Sequence, residues 1–418
     1  MLLLRRGRLL STALPRLSQR ADALRRQLPP PPPSAPPPPP PAAANSSNVI
    51  DTLAEAQLSD AGLTKRDFTR ALKASDHWRD TQLVLRSMEH EGIAPGPFDL
   101  ALAAHAFARD GRHGLAKDIQ SQLVADGGSL LHRADPRTLT LVLRGHAISR
   151  DAPGALRVWE CARSGGLWPT LPGLQHLLVA CADKGMWREA LAALREAEGG
   201  GVDGIFAAYS DDSGETAGEG RAPSEAPFEV GVRQWNAVLK ACVNADEYRQ
   251  AEGIMEQMRA VEGYCQPDVT SYNTLLHGYA LDWGGGEGLD ERIERSEALL
   301  GIMDEYNVVR DEVTYSALLD VHKLNPPKVL ELLAEARRTL EGGIKWPSTY
   351  AKAVRSLWWA GLPDHARQLT ESMEANGILP DRGFYERVIL AAESAGLQTD
   401  ADRLHREAQR RGLLLRNK

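Results

Sequence analysis

The sequence predicts an all-α solenoid built from two-helix repeats, and three observations support this fold class. The chain has 418 residues, which is too long for one ordinary hydrophobic core. Only 6% of its residues are aromatic, and alanine and leucine are abundant, which favours helices over strands. A sequence pattern also recurs with a period near 35 residues, as expected for stacked helical hairpins.

The N-terminus, residues 1–28, has the composition of an organelle transit peptide. Its seven arginines alternate with leucines, and its only acid is Asp22. A disordered basic tail is the alternative interpretation. Because arginine dominates and serine and threonine are few, we expect import into mitochondria, with plastids as the alternative. Residues 29–61 are expected to form a disordered linker and lead-in, since the prolines of residues 29–41 favour an extended polyproline II conformation.

The repeat is clearest in three segments, which are residues 232–242, 269–279 and 312–322. Each has an aromatic residue, then a small polar residue, then apolar residues at helical spacing. The stretch after each segment predicts a second helix, in which a small residue lets the two backbones approach closely. An alanine marks the twentieth place of several units, namely Ala116, Ala155, Ala190, Ala251, Ala366 and Ala401. A methionine recurs later in this helix, at Met88, Met258, Met303 and Met373.

These units divide the chain into two blocks of repeats. We place repeats over residues 62–198, the first of them weak, and over residues 232–416. Residues 199–231 are rich in glycine, serine and acids, and are expected to form a disordered insertion. A short loop insertion at residues 281–290 lengthens one repeat. Several units close with Pro-Asp or a variant, which ends one helix and caps the next.

The charge of the chain is an argument against nucleic-acid binding in its simplest form. The formal net charge is −7, and it becomes about −13 once residues 1–45 are removed, because they carry seven arginines and one acid. Nucleic-acid binders usually have a basic balance. RNA binding would therefore require a basic stripe on one face of an acidic protein.

The repeat units resemble those of the pentatricopeptide repeat family. The resemblance rests on residues 268–276, on residues 313–319 and on the Pro-Asp closures, and it extends over about 350 residues. It implies a right-handed superhelical solenoid of about eight to nine repeats of about 35 residues. It also implies that single-stranded RNA binds with one base per repeat, read by the fifth and the last residue of each unit.

Two consecutive units carry the fifth and last residues that the resemblance associates with uracil. These are Asn236 with Asp268, and Asn273 with Asp311, which implies a preferred U-U step. An amide can donate and accept hydrogen bonds, and a carboxylate can orient it. Helix capping alone is the alternative explanation for the two aspartates, which immediately precede a helix. Further candidate RNA-binding residues at these places are Thr140, Thr170, Ser316 and Asp381.

Other chemistry finds little support in the sequence. The four cysteines contain no Cys-x-x-Cys pair, and Cys181 and Cys242 share one repeat place, which indicates core residues. The histidines show no metal-binding spacing, so neither a metal nor another cofactor is expected. No pattern of a nucleophile with a base appears, so we do not expect an enzyme. No apolar run is long enough to predict a transmembrane helix, and no membrane partner is expected.

Two functions therefore stay open. The first is non-enzymatic binding of single-stranded RNA in an organelle, supporting transcript processing, stability or translation, together with a recruited RNA-processing enzyme or a ribosomal component. The second is a protein-binding helical-repeat scaffold for an organellar assembly. The Asn and Asp pairs favour the first function, and the acidic balance favours the second.

Overall fold

A computed structural model describes residues 63–198, 230–260, 265–281 and 289–413, and these residues form helices arranged in pairs. The predicted transit peptide and proline-rich linker lie outside the described residues. So do residues 199–229 of the long insertion and residues 282–288 of the short one. The prediction of an all-α solenoid of two-helix repeats is confirmed for the described part of the chain.

Nine helix pairs, numbered I to IX, follow one another in the described part of the chain. The first helix of each pair is called its A helix and the second its B helix. The A helices are α1 (Lys65–Ala74), α3 (Pro97–Arg109), α5 (Pro136–Ile148), α7 (Leu171–Ala182), α9 (Val232–Asn244), α11 (Val269–Ala280), α13 (Glu312–Val321), α15 (Pro347–Trp359) and α17 (Arg382–Ser394). The B helices are α2 (Trp78–His90), α4 (His113–Gly128), α6 (Ala152–Ser164), α8 (Trp187–Ala197), α10 (Tyr248–Ala260), α12 (Leu289–Glu305), α14 (Pro326–Thr339), α16 (Pro363–Ala375) and α18 (Gln398–Arg410). A short 3-10 helix, Leu131–Arg133, precedes α5.

Aspartate caps start four of the A helices. The side chains of Asp135, Asp268, Asp311 and Asp381 each accept a hydrogen bond from the backbone N–H of the third helical residue. This N–H has no partner within its own helix, so the cap supplies one. These caps fix the residue at which each repeat begins.

One turn geometry joins the A helix to the B helix in six of the pairs. In pair II, for example, the N–H of Arg112 donates to the carbonyl of Phe107, five residues earlier, after Gly111 adopts a φ of +73°. Arg150 and Asp246 hold the same left-handed place in pairs III and V. Because this conformation disfavours residues with a Cβ, the shared turn is strained by about 1 kcal/mol at these two sites.

The apolar core lies between the A and B helices, as one large cluster from pair II to pair IX and two smaller clusters in pairs I and II. The six alanines at the twentieth place are fully buried, as are Met88, Met303 and Met373, and Met258 is 2% exposed. Each A helix packs against the next A helix from α1 to α17, whereas among the described B helices only α4 and α6 make comparably extensive contact. The array therefore curves with the A helices inside. The exposed surface of the A helices is called the inner face below.

Candidate nucleic-acid interface

The inner face carries a hydrogen-bonded cluster where pair V meets pair VI. The amide Nδ2 of Asn236 on α9 donates to Oδ1 of Asp268 at 3.0 Å. The hydroxyl of Ser271 on α11 donates to Oδ1 of the same asparagine at 2.5 Å. Asp268 Oδ1 also accepts the backbone N–H of Ser271 at 2.9 Å, which caps α11. Both ends of the Asn236 amide are therefore held by the neighbouring repeat.

The same cluster recurs where pair VI meets pair VII. Asn273 Nδ2 donates to Asp311 Oδ1 at 3.0 Å, and the Thr314 hydroxyl donates to Asn273 Oδ1 at 2.7 Å. Asp311 Oδ1 accepts the backbone N–H of Thr314 at 2.8 Å. The sequence predicted the two Asn and Asp pairs, and the structure brings the partners of each pair together.

Each asparagine keeps hydrogen-bonding capacity after these contacts are made. Nδ2 has a second hydrogen, and Oδ1 has a second lone pair. Asn236 is half-buried, while Asn273 is 7% exposed, so Asn236 offers more of its amide to a ligand. Because both amides are held at two points, their orientation is fixed before any ligand binds, which lowers the entropic cost of recognition.

The other predicted site residues are arranged differently. Thr140 and Thr170 meet through their hydroxyl groups at 2.7 Å, so this pair is also brought together. Asp381 caps α17 through the N–H of Phe384, but its fifth-place partner is the fully buried Ala351. The Ser316 carbonyl accepts from Lys352 Nζ at 3.1 Å, and its last-place partner Trp346 is 48% exposed. The structure joins neither of these last two pairs by a side-chain hydrogen bond.

The hydroxyl residues of the two clusters, Ser271 and Thr314, were missed by the sequence reasoning. A signal for them was present, because each stands three residues after the capping aspartate. That spacing is typical of a capping box. What the spacing alone does not show is that the hydroxyl group also contacts the asparagine of the preceding repeat.

Charge is distributed unequally between the two layers of helices. The nine A helices contain 13 lysines and arginines against 6 aspartates and glutamates, a net charge of +7. The nine B helices contain 18 against 23, a net charge of −5. The overall acidity of the chain therefore does not describe its inner layer, whose helices are basic.

Several basic side chains stand at the ninth place of the A helices, one turn beyond the fifth place on the same helical face. They include Arg144, Lys240 and Arg355, together with His105 and His277. Lys240 is paired with Asp183 at 2.8 Å, and Arg355 with Asp320 at 2.5 Å. Three cations thus accompany the fifth-place residues, in pairs III, V and VIII.

The inner face of pairs VII to IX is more apolar. Asp320 is contacted by both Lys352 and Arg355, each at 2.5 Å, which neutralises the cations there. Trp359 is 39% exposed, with the Arg355 guanidinium over its ring, whereas Trp358 is in the core. Leu390, at the ninth place of α17, is 66% exposed. This end of the inner face differs in chemistry from the centre.

The buried cysteines fit a structural role. Cys181 and Cys242 are fully buried, and burial raises the pKa of each thiol to about 12. Within the described ranges, no group of three or more His, Cys, Asp or Glu side chains is arranged to hold a metal ion. Nor does any helix in those ranges have the length and apolar character needed to cross a membrane.

Comparison with known proteins agrees with this architecture. Residues 225–281, which include pair V and the whole of α11, match the model of the pentatricopeptide repeat domain. This part of the chain is therefore similar to a pentatricopeptide repeat domain. The structure of the pentatricopeptide repeat protein PPR10 in complex with an 18-nt psaJ RNA element is similar at 16% identity and a TM-score of 0.57. The match covers 89% of this chain and 49% of the PPR10 chain, so this chain spans about half the length of that relative.

Two further similarities are weaker. The pentatricopeptide repeat domain of Arabidopsis thaliana protein-only RNase P 1 in complex with tRNA is 17% identical, with a TM-score of 0.34, over 43% of this chain and 89% of that chain. The cytochrome c biogenesis ATP-binding export protein CcmA 2 of Cupriavidus metallidurans is 36% identical over 85 residues, which are 20% of this chain and 37% of that protein. This chain has no Gly-Lys-Ser/Thr phosphate-binding motif, so ATP binding does not follow from the second similarity.

Proposed function

We propose that this protein is a pentatricopeptide repeat protein, binds single-stranded RNA along its inner face and has no enzymatic activity of its own. The observation that carries the proposal is the pair of identical Asn, Asp and hydroxyl clusters on neighbouring repeats. A cap alone needs only the aspartate and the N–H group. The additional asparagine, held in one orientation on the inner face, is what a base-reading site requires.

The hydrogen-bonding pattern of the asparagines suits uracil. The remaining Nδ2 hydrogen of Asn236 can donate to a uracil carbonyl, and Oδ1 can accept from the uracil N3–H. The equivalent Asn273 lies on the next A helix, so two adjacent bases can be read in succession. We therefore propose a preference for a U-U step at pairs V and VI.

The basic A helices support the same proposal. Single-stranded RNA carries one negative charge per phosphate, and most of its affinity for proteins comes from phosphate contacts. A net charge of +7 on the A helices against −5 on the B helices directs the polyanion to the inner face. PPR10, whose fold is similar, has been solved in complex with RNA.

The cellular role extends this proposal. The arginine-rich, acid-poor composition of residues 1–28 supports import into mitochondria, with plastids as the alternative. There the protein would bind a transcript and support its processing, stability or translation. Any cleavage of the RNA would be carried out by a recruited processing enzyme, and a ribosomal component is a further candidate partner.

The test measures binding of the full chain to U-rich and A-rich single-stranded oligonucleotides. Asn236→Ala should reduce the preference for U-rich RNA by roughly 1 kcal/mol or more, because it removes one oriented donor and acceptor. Asn376→Ala is the control, since Asn376 is exposed beyond a B helix and bonds only Ser372 of its own helix. Equal affinity of the wild type for both oligonucleotides would remove the base-reading claim.

A protein-binding scaffold is the second candidate function, and the apolar inner face of pairs VII to IX favours it. Exposed Trp346, Trp359 and Leu390 are typical of a protein contact, and the cations nearby are paired with Asp320. Failure of the full chain to bind any single-stranded oligonucleotide at low salt would leave this function as the better explanation.

A further inference from the structure

Three basic side chains on three successive A helices of pairs II to IV are candidates for one site, because these helices pack against one another. They are His105 on α3, Arg144 on α5 and His176 on α7. Helices α3 and α5 approach closely here, since a Cβ on Gly145 would lie 3.8 Å from the Cα of His105. Arg144 follows the fifth-place Thr140 by four residues, so it faces the same way.

These three side chains lack the partners that other cations of the inner face have. Arg144 is exposed, and it makes no ion pair or hydrogen bond among the described residues. Neither imidazole has a side-chain partner there, and Nε2 of His105 is shielded from solvent without a hydrogen bond. By contrast, Lys240 is paired with Asp183. The Arg144 guanidinium therefore keeps its positive charge and its donors available.

The lowered pKa values of the two imidazoles agree with a position of the three groups near one another. Burial, followed by Arg144, Arg109 and His176, lowers the pKa of His105 to about 4. Burial, followed by Arg144, also lowers the pKa of His176. No carboxylate is among the groups that act on either imidazole. Near neutral pH both rings are therefore uncharged, and the surrounding potential is positive.

We propose that His105, Arg144 and His176 form a binding site for one backbone phosphate of the RNA. This inference rests on the proposed function. A phosphodiester has two unbridged oxygens, to which the Arg144 guanidinium can donate in parallel, and an N–H of each imidazole can donate from the side. Such a contact positions the strand without reading its sequence. It would anchor the RNA on the N-terminal side of the two asparagine clusters.

Phosphate binding at this site is coupled to protonation. A bound anion favours the imidazolium form, so it raises the pKa of His105 and of His176 from their lowered values. A group whose pKa is higher in the complex than in the free protein takes up protons on binding. RNA affinity should therefore strengthen as the pH falls below the pKa of the complex towards that of the free protein, and the dependence should fade above the pKa of the complex.

Salt dependence is the first test. The full chain, as wild type and as Arg144→Gln, is titrated with a U-rich oligonucleotide at several salt concentrations. Loss of one phosphate contact should make the slope of log K against log salt shallower by about 0.7 and weaken binding by roughly three- to tenfold at low salt. The preference for U-rich over A-rich RNA should not change. Arg157→Gln is the matched control, because Arg157 is exposed on α6 of the same pair, in the outer layer.

The pH dependence is the second test. Between pH 7.5 and 5.5 the affinity of the wild type should rise by about threefold or more through these two rings. The double variant His105→Asn, His176→Asn should lose that rise, whereas His405→Asn on α18 should retain it.

The outcomes separate the two proposals. If the wild type binds no RNA, the proposed function fails. If it binds RNA but Arg144→Gln has the same salt slope as Arg157→Gln, the phosphate site is wrong. If inorganic phosphate at the concentration of the oligonucleotide displaces RNA, the site binds free phosphate and not the RNA backbone.

Discussion

At the scale of single residues, one carboxylate serves two purposes in each asparagine cluster. Asp268 Oδ1 accepts the backbone N–H that starts α11 and also the amide of Asn236 from the preceding repeat. Capping and base reading were alternative explanations of this aspartate in the sequence. Because one oxygen atom has two lone pairs, the geometry makes the two explanations compatible.

The Ser271 hydroxyl provides a test of this double role. Ser271→Ala removes the donor to Asn236 Oδ1 and leaves that amide held only through Asp268. We expect a loss of about 1 kcal/mol in the free energy of unfolding and a smaller preference for U-rich RNA. Chemical denaturation and oligonucleotide titration measure the two effects. Thr274→Ala is the control, since the Thr274 hydroxyl bonds only the carbonyl of Thr270 in its own helix; an equal effect of both variants on U preference would contradict the role of Ser271.

A second prediction at this scale concerns Asp151 and His146 in pair III. The hydrogen bond with His146 is the main cause that lowers the pKa of Asp151 to about 2, from 3.8. A carboxyl whose pKa is lower in the folded state stabilises the fold above pH 3.8, and this contribution disappears as the pH falls towards 2. Urea unfolding should therefore show Asp151→Asn to be less stable than wild type at pH 6, with the difference shrinking at pH 3. A difference that does not depend on pH would show that the ionised form of Asp151 is not what stabilises the fold.

At the scale of helices, the start of α15 shows how a repeat manages without a capping aspartate. Trp346 stands where pairs VI, VII and IX are preceded by Asp. Glu312, from the start of the preceding A helix, accepts the backbone N–H groups of Lys345 and Trp346, at 3.0 and 2.9 Å, and the hydroxyl of Thr349 at 2.9 Å. A side chain of the neighbouring repeat thus holds the two residues that lead into α15 and the Thr349 hydroxyl of its first turn.

This arrangement predicts that substitution of Glu312 lowers the free energy of unfolding. Glu312 is 8% exposed, and Glu312→Gln replaces one of its two acceptor oxygens by a donor that faces N–H groups. We expect a loss of about 1–3 kcal/mol in the free energy of unfolding. Glu331→Gln on α14, whose side chain is 63% exposed, should change it by less than about 0.5 kcal/mol. Circular dichroism during urea unfolding measures the free energy of unfolding of both variants. Equal losses in the two variants would refute this role of Glu312.

At the scale of the whole molecule, curvature and charge act together. Successive A helices pack against one another while the B helices spread apart, so the basic layer is gathered on the inner side and the acidic layer on the outer side. A net charge of −7 for the chain is therefore compatible with an attractive surface for a polyanion. The outer acidic layer should also disfavour binding of RNA on the wrong side.

This distribution of charge makes a prediction for the full chain. Affinity for single-stranded RNA should fall linearly with salt on logarithmic axes, with a slope of about −0.7 for each phosphate contacted. Fluorescence anisotropy at several salt concentrations measures the slope. Affinity that does not change with salt would show that the inner face contacts no phosphates, and the separation of charge between layers would then need another explanation.

The sequence alone determined the repeat and its register. The twentieth-place alanines, the fourth-place aromatic residues and the capping aspartates recur at a fixed spacing, because every pair must bury the same kind of face against its neighbours. That spacing predicted the all-α solenoid, whereas the pairing of Asn236 with Asp268 and of Asn273 with Asp311 was implied by the resemblance to the pentatricopeptide repeat family. Local spacing is sufficient to predict the helical hairpins, since a helical hairpin depends mostly on contacts within a few turns.

Tertiary structure decided what contacts cross from one repeat to the next. The hydroxyl groups of Ser271 and Thr314 on the asparagines and the reach of Glu312 to α15 join residues that are 33 or more positions apart. The cluster around Arg144 likewise involves residues that are 32 or more positions apart. The net charge of the sequence does not say where the charges lie, whereas the packing of A helices into one curved layer places their cations on the same side. Only stacking in three dimensions turns a periodic sequence into one inner face, which is more apolar at pairs VII to IX.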